Sequence, residues 1–268
     1  MIHIIGNIAI NIDTQLDQPL NPNIHNKATS APMLDLAGHG ALQAISAARC
    51  GAKVSLISKI GTDLLGKYAL DILRKESVQT SSLSKETEQS ELTIALNSPD
   101  QKTHISAPES QTHLQTNIIP AEHFNARNLI VISSDLPANS ESADWLKKVK
   151  DNGARIMLCL QPGKDINQDL TPYADIIICD ETIALPALCE NTHIINTKDF
   201  GAEENQGSTV SFDIFCGYFA ACLQAGLPLE RSLKIANNAA ALSTQQRGTY
   251  RAIPHLGYLE DILEEEPI

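Results

Sequence analysis

The acid with the most chemical promise in this chain is Asp213, which follows Ser208-Thr209-Val210-Ser211-Phe212 and opens the run Ile214-Phe215-Cys216-Gly217-Tyr218-Phe219-Ala220-Ala221-Cys222-Leu223. That run is apolar and rich in small residues, as in a buried helix. A carboxylate at the head of such a helix stays ionised beside the positive end of its dipole, and as a general base it contributes roughly 10²- to 10⁴-fold to a rate. The same residue could instead cap the helix carrying Phe215, Phe219 and Leu223, which is worth around 1 kcal/mol. A second cluster is Ala37-Gly38-His39-Gly40. Its glycines let backbone amides approach a ligand closely, and a helix starting there adds oriented donors. Taken by itself, a Gly-x-Gly can equally be no more than a turn from strand to helix. The eight histidines are scattered without metal-ligand spacing, so no zinc site is expected. The six cysteines, Cys50, Cys159, Cys179, Cys189, Cys216 and Cys222, form no Cys-x-x-Cys pair and read as buried free thiols in a reducing cytoplasm.

Elements able to position these residues recur along the chain. Apolar runs at 2–10, 53–58, 128–133, 155–160, 174–179 and 193–197 read as buried strands. Helical patterns at 41–50, 64–76, 140–151 and 181–189 fall between most of them, and 213–225 and 229–245 follow, separated by Gly226 and Pro228. Ile- and Val-rich strands alternating with helices predict a parallel sheet covered on both faces. Two segments break the alternation, roughly 11–36, which is polar and proline-bearing, and 91–106, two short strands around Ser98-Pro99-Asp100-Gln101. Together they predict a small antiparallel flap over one end of the sheet. At 268 residues the chain suits a single α/β domain with such a lid. A net charge of −12 argues against a nucleic-acid surface, and no apolar run approaches the roughly 20 residues of a membrane span. The start, Met1-Ile2-His3-Ile4-Ile5-Gly6, reads as a strand rather than a signal peptide, and a cytoplasmic location is expected.

The motifs, in this order, resemble those of the ribokinase-like (PfkB) carbohydrate kinases. Asp213, Phe215, Gly217, Phe219, Ala220 and Ala221 match the second half of that family's Asp-Thr-Thr-Gly-Ala-Gly-Asp-Thr-Phe…Gly-x-Phe-Ala-Ala signature. Ala37-Gly38-His39-Gly40-Ala41-Leu42-Gln43-Ala44 is similar to its Gly-Gly-Lys-Gly-Ala-Asn-Gln-Ala sugar turn, and Gly61, Asp63 and Gly66 match its Gly-x-x-Gly-x-Asp-x-x-Gly turn. Asp135-Leu136-Pro137, the run from Ala236 to Ser243, Arg247-Gly248 and Ile253-Pro254 extend the likeness over nearly the whole chain. The resemblance implies a ribokinase-like three-layer α/β sandwich with a mainly parallel central sheet. It also implies ATP-dependent phosphoryl transfer, with Mg2+, to a hydroxyl of a sugar, nucleoside or similar small molecule, with no zinc, flavin or NAD. By it, Asp213 would be the base, and Asn11, Gly38, His39 and Gly40 would face the acceptor. Val210, Ser211 and Phe212 would face the phosphates, Asn237, Asn238 and Gly248 the nucleotide, and Asp180 and Glu181 a magnesium ion through water. Family members often dimerise through the flap, so the resemblance leaves a homodimer through it open.

Several family positions have changed. Asn11 replaces the sugar-binding Asp, His39 the Lys, and Leu42 the sugar-binding Asn, while Ile183 stands at the Glu of the magnesium-side motif. Leu42 donates no hydrogen bond, so the acceptor is less polar on that face or is not a sugar. Val210, Ser211 and Phe212 replace the family's glycines, and such residues resist the positive φ of an anion nest. Gly207 replaces an Asp linked to the family's monovalent-cation site, so potassium activation is not expected. Asp180 and Glu181 could equally be a helix cap and its first turn. These changes leave a second alternative open, a degenerate member that keeps the fold to bind a ligand or partner without catalysis.

Overall fold

The computed structural model describes residues 1–87, 89–106, 119–133, 140–160, 169–179, 192–197 and 209–259. Asp135-Leu136-Pro137, Asp180, Glu181, Ile183, Cys189, Gly207 and the helix expected at 181–189 lie outside the described residues.

Seven strands form a parallel sheet in the order β11-β10-β9-β8-β1-β4-β5. They are β1 (Ile2–Ile5), β4 (Val54–Gly61), β5 (Leu83–Thr87), β8 (Leu129–Ser133), β9 (Arg155–Cys159), β10 (Ile176–Cys179) and β11 (His193–Asn196). Because side chains alternate across a strand, the apolar runs split between two cores. Leu129, Val131, Met157, Cys159, Ile176 and Ile178 face the core shared with α1 (His39–Arg49), α4 (Thr209–Gln224) and α5 (Leu229–Ser243). Ile130, Ile132, Ile156, Leu158 and Ile177 face the other, where Trp145, Leu146 and Val149 of α3 (Ser140–Asp151) pack with Phe124. Helices on both faces of a parallel sheet make the expected three-layer sandwich.

The run at 2–10 is two strands rather than one. It breaks at Gly6, where a Cβ would stand 2.8 Å from the Cα of Gly40, so the chain must leave the sheet to pass under the start of α1. The second piece, β2 (Ala9–Gln15), belongs to the flap with β3 (Met33–Ala37), β6 (Glu91–Asn97) and β7 (Lys102–Ser106), in the order β3-β2-β6-β7. The β2–β3 and β6–β7 pairs are antiparallel as expected, whereas β2 and β6 run parallel, so the flap is a mixed sheet made of two hairpins side by side.

The family-like turn at Gly61 and Asp63 is structural. Asp63 caps α2 (Leu64–Lys75), accepting from the Gly66 amide at 2.8 Å, and it also accepts from the Ser90 amide at 3.0 Å and the Ser90 hydroxyl at 2.6 Å. Burial alone would raise its carboxyl, but the donors from Ser90 and Gly66 outweigh it and hold the group below the ordinary range. This cap ties the end of β4 to the flap just ahead of β6.

Candidate functional site

The site is built where α1 and α4 run side by side in the same direction. Helix α4 is apolar around its whole circumference and buried along nearly its whole length, as a helix wrapped by sheet and neighbouring helices must be. Gly217 sets its closeness to α1, since a Cβ there would lie 2.4 Å from the Gln43 carbonyl oxygen and 2.5 Å from Ser46 Cβ. One turn earlier on α4, this approach brings Asp213 into reach of α1. The far ends also meet, with Cys50 Sγ 3.9 Å from Cys222 Sγ.

Asp213 is fully buried, and two side chains of α1 hold its carboxylate. His39 Nδ1 lies 2.8 Å from Oδ2, and Gln43 Nε2 donates to Oδ1 at 2.8 Å. His39 and Gln43 are four residues apart, one above the other on the same helix face, so both reach the same partner. Of the two, the imidazole is the accessible member, its side chain 21% exposed against 1% for Asp213. His39 is anchored through its backbone, whose amide donates to Asn7 Oδ1 at 2.7 Å, while Asn7 Nδ2 donates to the carboxylate of Glu91 at the start of β6. The flap, the break after β1 and α1 are thereby joined around one imidazole.

Two expectations are corrected here. Helix α4 begins at Thr209, four residues before the expected start, so Asp213 lies one turn inside the helix and is not its cap. Val210, Ser211 and Phe212 are consequently the first turn of a regular helix. Among the described non-glycine residues only Ser77 has positive φ, so these three need no left-handed backbone to point amides out of the helix end. Phe212 itself is a core side chain, 7% exposed.

The remaining residues fall in three places. Gly38 precedes α1 with φ of 94°, and a Cβ there would lie 2.6 Å from the Ala9 amide nitrogen, while one on Gly40 would lie 2.5 Å from the Gly6 carbonyl carbon. Both glycines are therefore required by backbone packing against the β1–β2 break, which brings His39 to its place. Asn11 lies in β2, paired with Asp35 of β3 and Thr93 of β6. Asn237 and Asn238 are half-buried on α5, with no hydrogen bond to another described side chain. Gly248, at φ of 116°, stands against the flap, where a Cβ would meet Asp35 Oδ2 at 2.8 Å.

Gln43 and Asp35 are buried polar side chains to which the motifs assigned no role. The i, i+4 spacing from His39 was the available signal for Gln43. Asp35 gave none, because its partners Thr249 and Arg251 lie more than 200 residues on. Its carboxylate, fully buried, accepts from the Thr249 amide at 2.7 Å and pairs with Arg251 Nε at 3.3 Å. Burial pushes this carboxyl above the ordinary range even though Thr249, Arg251 and the Leu36 amide favour its charge. A cavity of about 600 Å³ lies at the opposite end of α1, lined among others by Arg49, Glu76, Tyr250 and His255. The 11 residues of α1 separate it from His39 by about 15 Å at 1.5 Å per residue.

Comparison with known proteins agrees with this architecture. The solved ribokinase of Thermotoga maritima superposes with a TM-score of 0.80 at 18% identity, covering 98% of this chain and 99% of that one. The Arabidopsis thaliana ribokinase complexed with ribose and ATP gives 0.76 at 18% identity, covering 98% of each chain. Both likenesses concern the fold. In sequence, the ribokinase of Bacillus subtilis (strain 168) is 26% identical over 261 residues, 84% of this chain and 87% of the relative. That of Staphylococcus aureus (strain COL) is 25% identical over 263 residues, 82% and 85% of the two chains. The profile described as pfkB family carbohydrate kinase matches residues 2–198 and 213–256, a span that takes in both the Gly38-His39-Gly40 turn and Asp213. With the two halves of the site inside that match and the sheet, flap and helices in place around them, the chain belongs to the pfkB family of carbohydrate kinases.

Proposed function

We propose that this chain transfers the terminal phosphoryl group of ATP to a hydroxyl of a sugar or closely related small molecule, with D-ribose the first acceptor to try. The observation that carries this is the meeting of Asp213 and His39 at 2.8 Å, beside the N-terminus of a buried helix. Phosphoryl transfer asks a protein mainly for positioning and charge stabilisation. The first turn of α4 presents backbone amides and the positive end of a helix dipole, which suit a phosphate. The Asp213–His39 pair is placed one turn further on, where the acceptor hydroxyl must give up its proton. The ribokinase relatives and the neighbour holding ribose and ATP support the same substrates.

Magnesium, present with ATP in another ribokinase-like neighbour, would neutralise charge on the transferring phosphates. Among the described residues no group of three or more His, Cys, Asp or Glu side chains could hold a metal. By the family resemblance such an ion would be carried by the nucleotide's own oxygens and by water, with Asp180 or Glu181 orienting that water. No helix among the described residues is long and apolar enough to cross a membrane.

The test is ADP release, followed with magnesium-ATP and a panel of D-ribose, other pentoses, hexoses and nucleosides, with 31P NMR of the product. A sugar phosphate formed in step with ADP is the expected result. Failure of every acceptor, with no thermal stabilisation by magnesium-ATP, would instead favour a non-catalytic role.

A further inference from the structure

We infer that Cys50 and Cys222 form a redox modification site, which peroxide closes into a disulfide between the C-terminal ends of α1 and α4. The two sulfurs lie 3.9 Å apart, although 172 residues separate them in sequence. Cys50 follows Arg49 at the end of α1, and Cys222 stands in the last turn of α4, which ends at Gln224. A disulfide brings its sulfurs to about 2.0 Å, so closure asks each of them to move by about 1 Å.

The cysteines of α4 differ in access and in acidity. Cys50 is half-buried, so an oxidant arriving from solvent can meet its sulfur, whereas Cys222 is 2% exposed. The hydrogen bond with Cys50 holds the Cys222 thiol below its ordinary range; burial opposes this, and the Arg231 guanidinium of α5 adds to it. Cys216, six residues earlier on α4, is the contrast. It is fully buried beside Cys159 of β9, itself fully buried, and burial pushes its thiol well above the ordinary range. Thiolates, not thiols, are the nucleophiles, so α4 carries one pair that is ready for oxidation and one that is shielded from it.

The chemistry balances with one peroxide. The Cys50 thiolate attacks a peroxide oxygen, an S–O bond forms as the O–O bond breaks, and the departing hydroxide takes up the thiol's proton to leave as water. The Cys222 sulfur then attacks the Cys50 sulfur, the S–S bond forms as the S–O bond breaks, and the second hydroxide leaves as water with the Cys222 proton. Two thiols are oxidised, and the peroxide is reduced to two water molecules. The bond ties together the two helices that carry His39, Gln43 and Asp213, at the ends remote from those side chains. Its readout is covalent, so the assignment stands or falls apart from the kinase reading.

The experiment treats the reduced full-length chain with a small excess of hydrogen peroxide and follows intact mass and unreduced peptide maps for wild type, Cys50→Ser, Cys222→Ala and Cys216→Ser. Wild type should lose about 2 Da, with the peptides of Cys50 and Cys222 joined, and dithiothreitol should restore the mass. Cys50→Ser and Cys222→Ala should form no such link, and the half-buried position of Cys50 keeps the comparison usable should Cys222→Ala fail to fold. Cys216→Ser should form the link within about twofold of the wild-type rate. In denaturing urea the preference for this pair should disappear, because the fold is what brings the sulfurs together. A link between two copies, a pairing that uses another cysteine, a gain of oxygen in place of the loss of hydrogen, or a preference that persists in urea would each overturn the inference.

Discussion

Gln43 shows how much a single side chain can decide at this site. Its amide nitrogen fixes Asp213, yet among the described residues its buried Oε1 has no hydrogen-bond partner. An orphaned buried acceptor costs on the order of 1–3 kcal/mol, so the donor half must justify keeping the residue there. His3 carries a similar defect in the central sheet. Its buried Nδ1 has no partner among the described residues, its Nε2 meets Asn128 Nδ2 at 3.2 Å, and Phe124 lies edge-on at 5.0 Å. Burial, helped by the nearby chain-terminal amine, pushes its pKa down to about 4. The folded value lies below the unfolded one, so between them the unfolded state binds the extra proton and stability rises with pH. Stability from this group should be complete above about pH 6.5 and decline as pH falls toward 4. His3→Gln, which keeps an acceptor for Asn128 but cannot titrate, should flatten that part of a melting-temperature profile measured from pH 4.5 to 7.5. An unchanged slope would show that His3 does not contribute.

At the scale of elements, the crossing of α1 and α4 at Gly217 governs the site. Glycine inside a helix normally costs about 0.5–1 kcal/mol relative to alanine, so Gly217→Ala would ordinarily stabilise. Here the added methyl would lie 2.4 Å from the backbone oxygen of Gln43. We expect Gly217→Ala to lower stability by about 1–3 kcal/mol through overpacking, read from the urea midpoint. It should also reduce turnover more than binding, because it pushes Asp213 away from His39. The motif showed Gly217 but not its reason, which is a contact with a helix 170 residues earlier. Most of the parallel strands were legible because their Ile and Val runs are bounded by turns, and apart from the run at 2–10 the structure extends or trims them by only a few residues; β5, whose Leu-Ser-Lys-Glu-Thr holds one apolar residue, gave no such signal and was missed. The start of α4 was not legible, since Val210 and Phe212 are poor helix formers in isolation and only burial against the sheet recruits them. The split of 2–10 was hidden for the same reason. Seven apolar or small residues in nine look like one strand until Gly40 requires room beside Gly6. His39 and Gln43 could have been paired from their spacing, but nothing local says that Asp213 is what they face.

For the whole molecule, the flap is tied to the body by the segment after α5. Arg247 pairs with Asp13 of β2, the Thr249 amide and the Arg251 guanidinium meet Asp35 of β3, and the Thr249 hydroxyl donates to the Leu36 carbonyl. Strand β3 leads directly through Gly38 into His39, so this clamp, which joins Asp35 to Thr249 across 214 residues of sequence, sets the position of His39. Asp35 can be probed by two substitutions with different expected effects. Asp35→Ala leaves the Thr249 amide buried without its acceptor and should cost about 1–3 kcal/mol, visible as a lower urea midpoint. Asp35→Asn keeps an oxygen for that amide and removes the charge that burial disfavours, so it should stay within about 1 kcal/mol of wild type at pH 7. Because the folded carboxyl is raised, the folded state holds its proton more tightly, and its contribution to stability falls as pH climbs from the unfolded value through the folded one. The advantage of wild type over Asp35→Asn should therefore shrink between pH 4 and pH 7. An advantage that grows instead would mean that Arg251 and the backbone donors outweigh burial. A loss of kcat in Asp35→Ala, with ATP binding retained, would show that the clamp reaches His39 through β3.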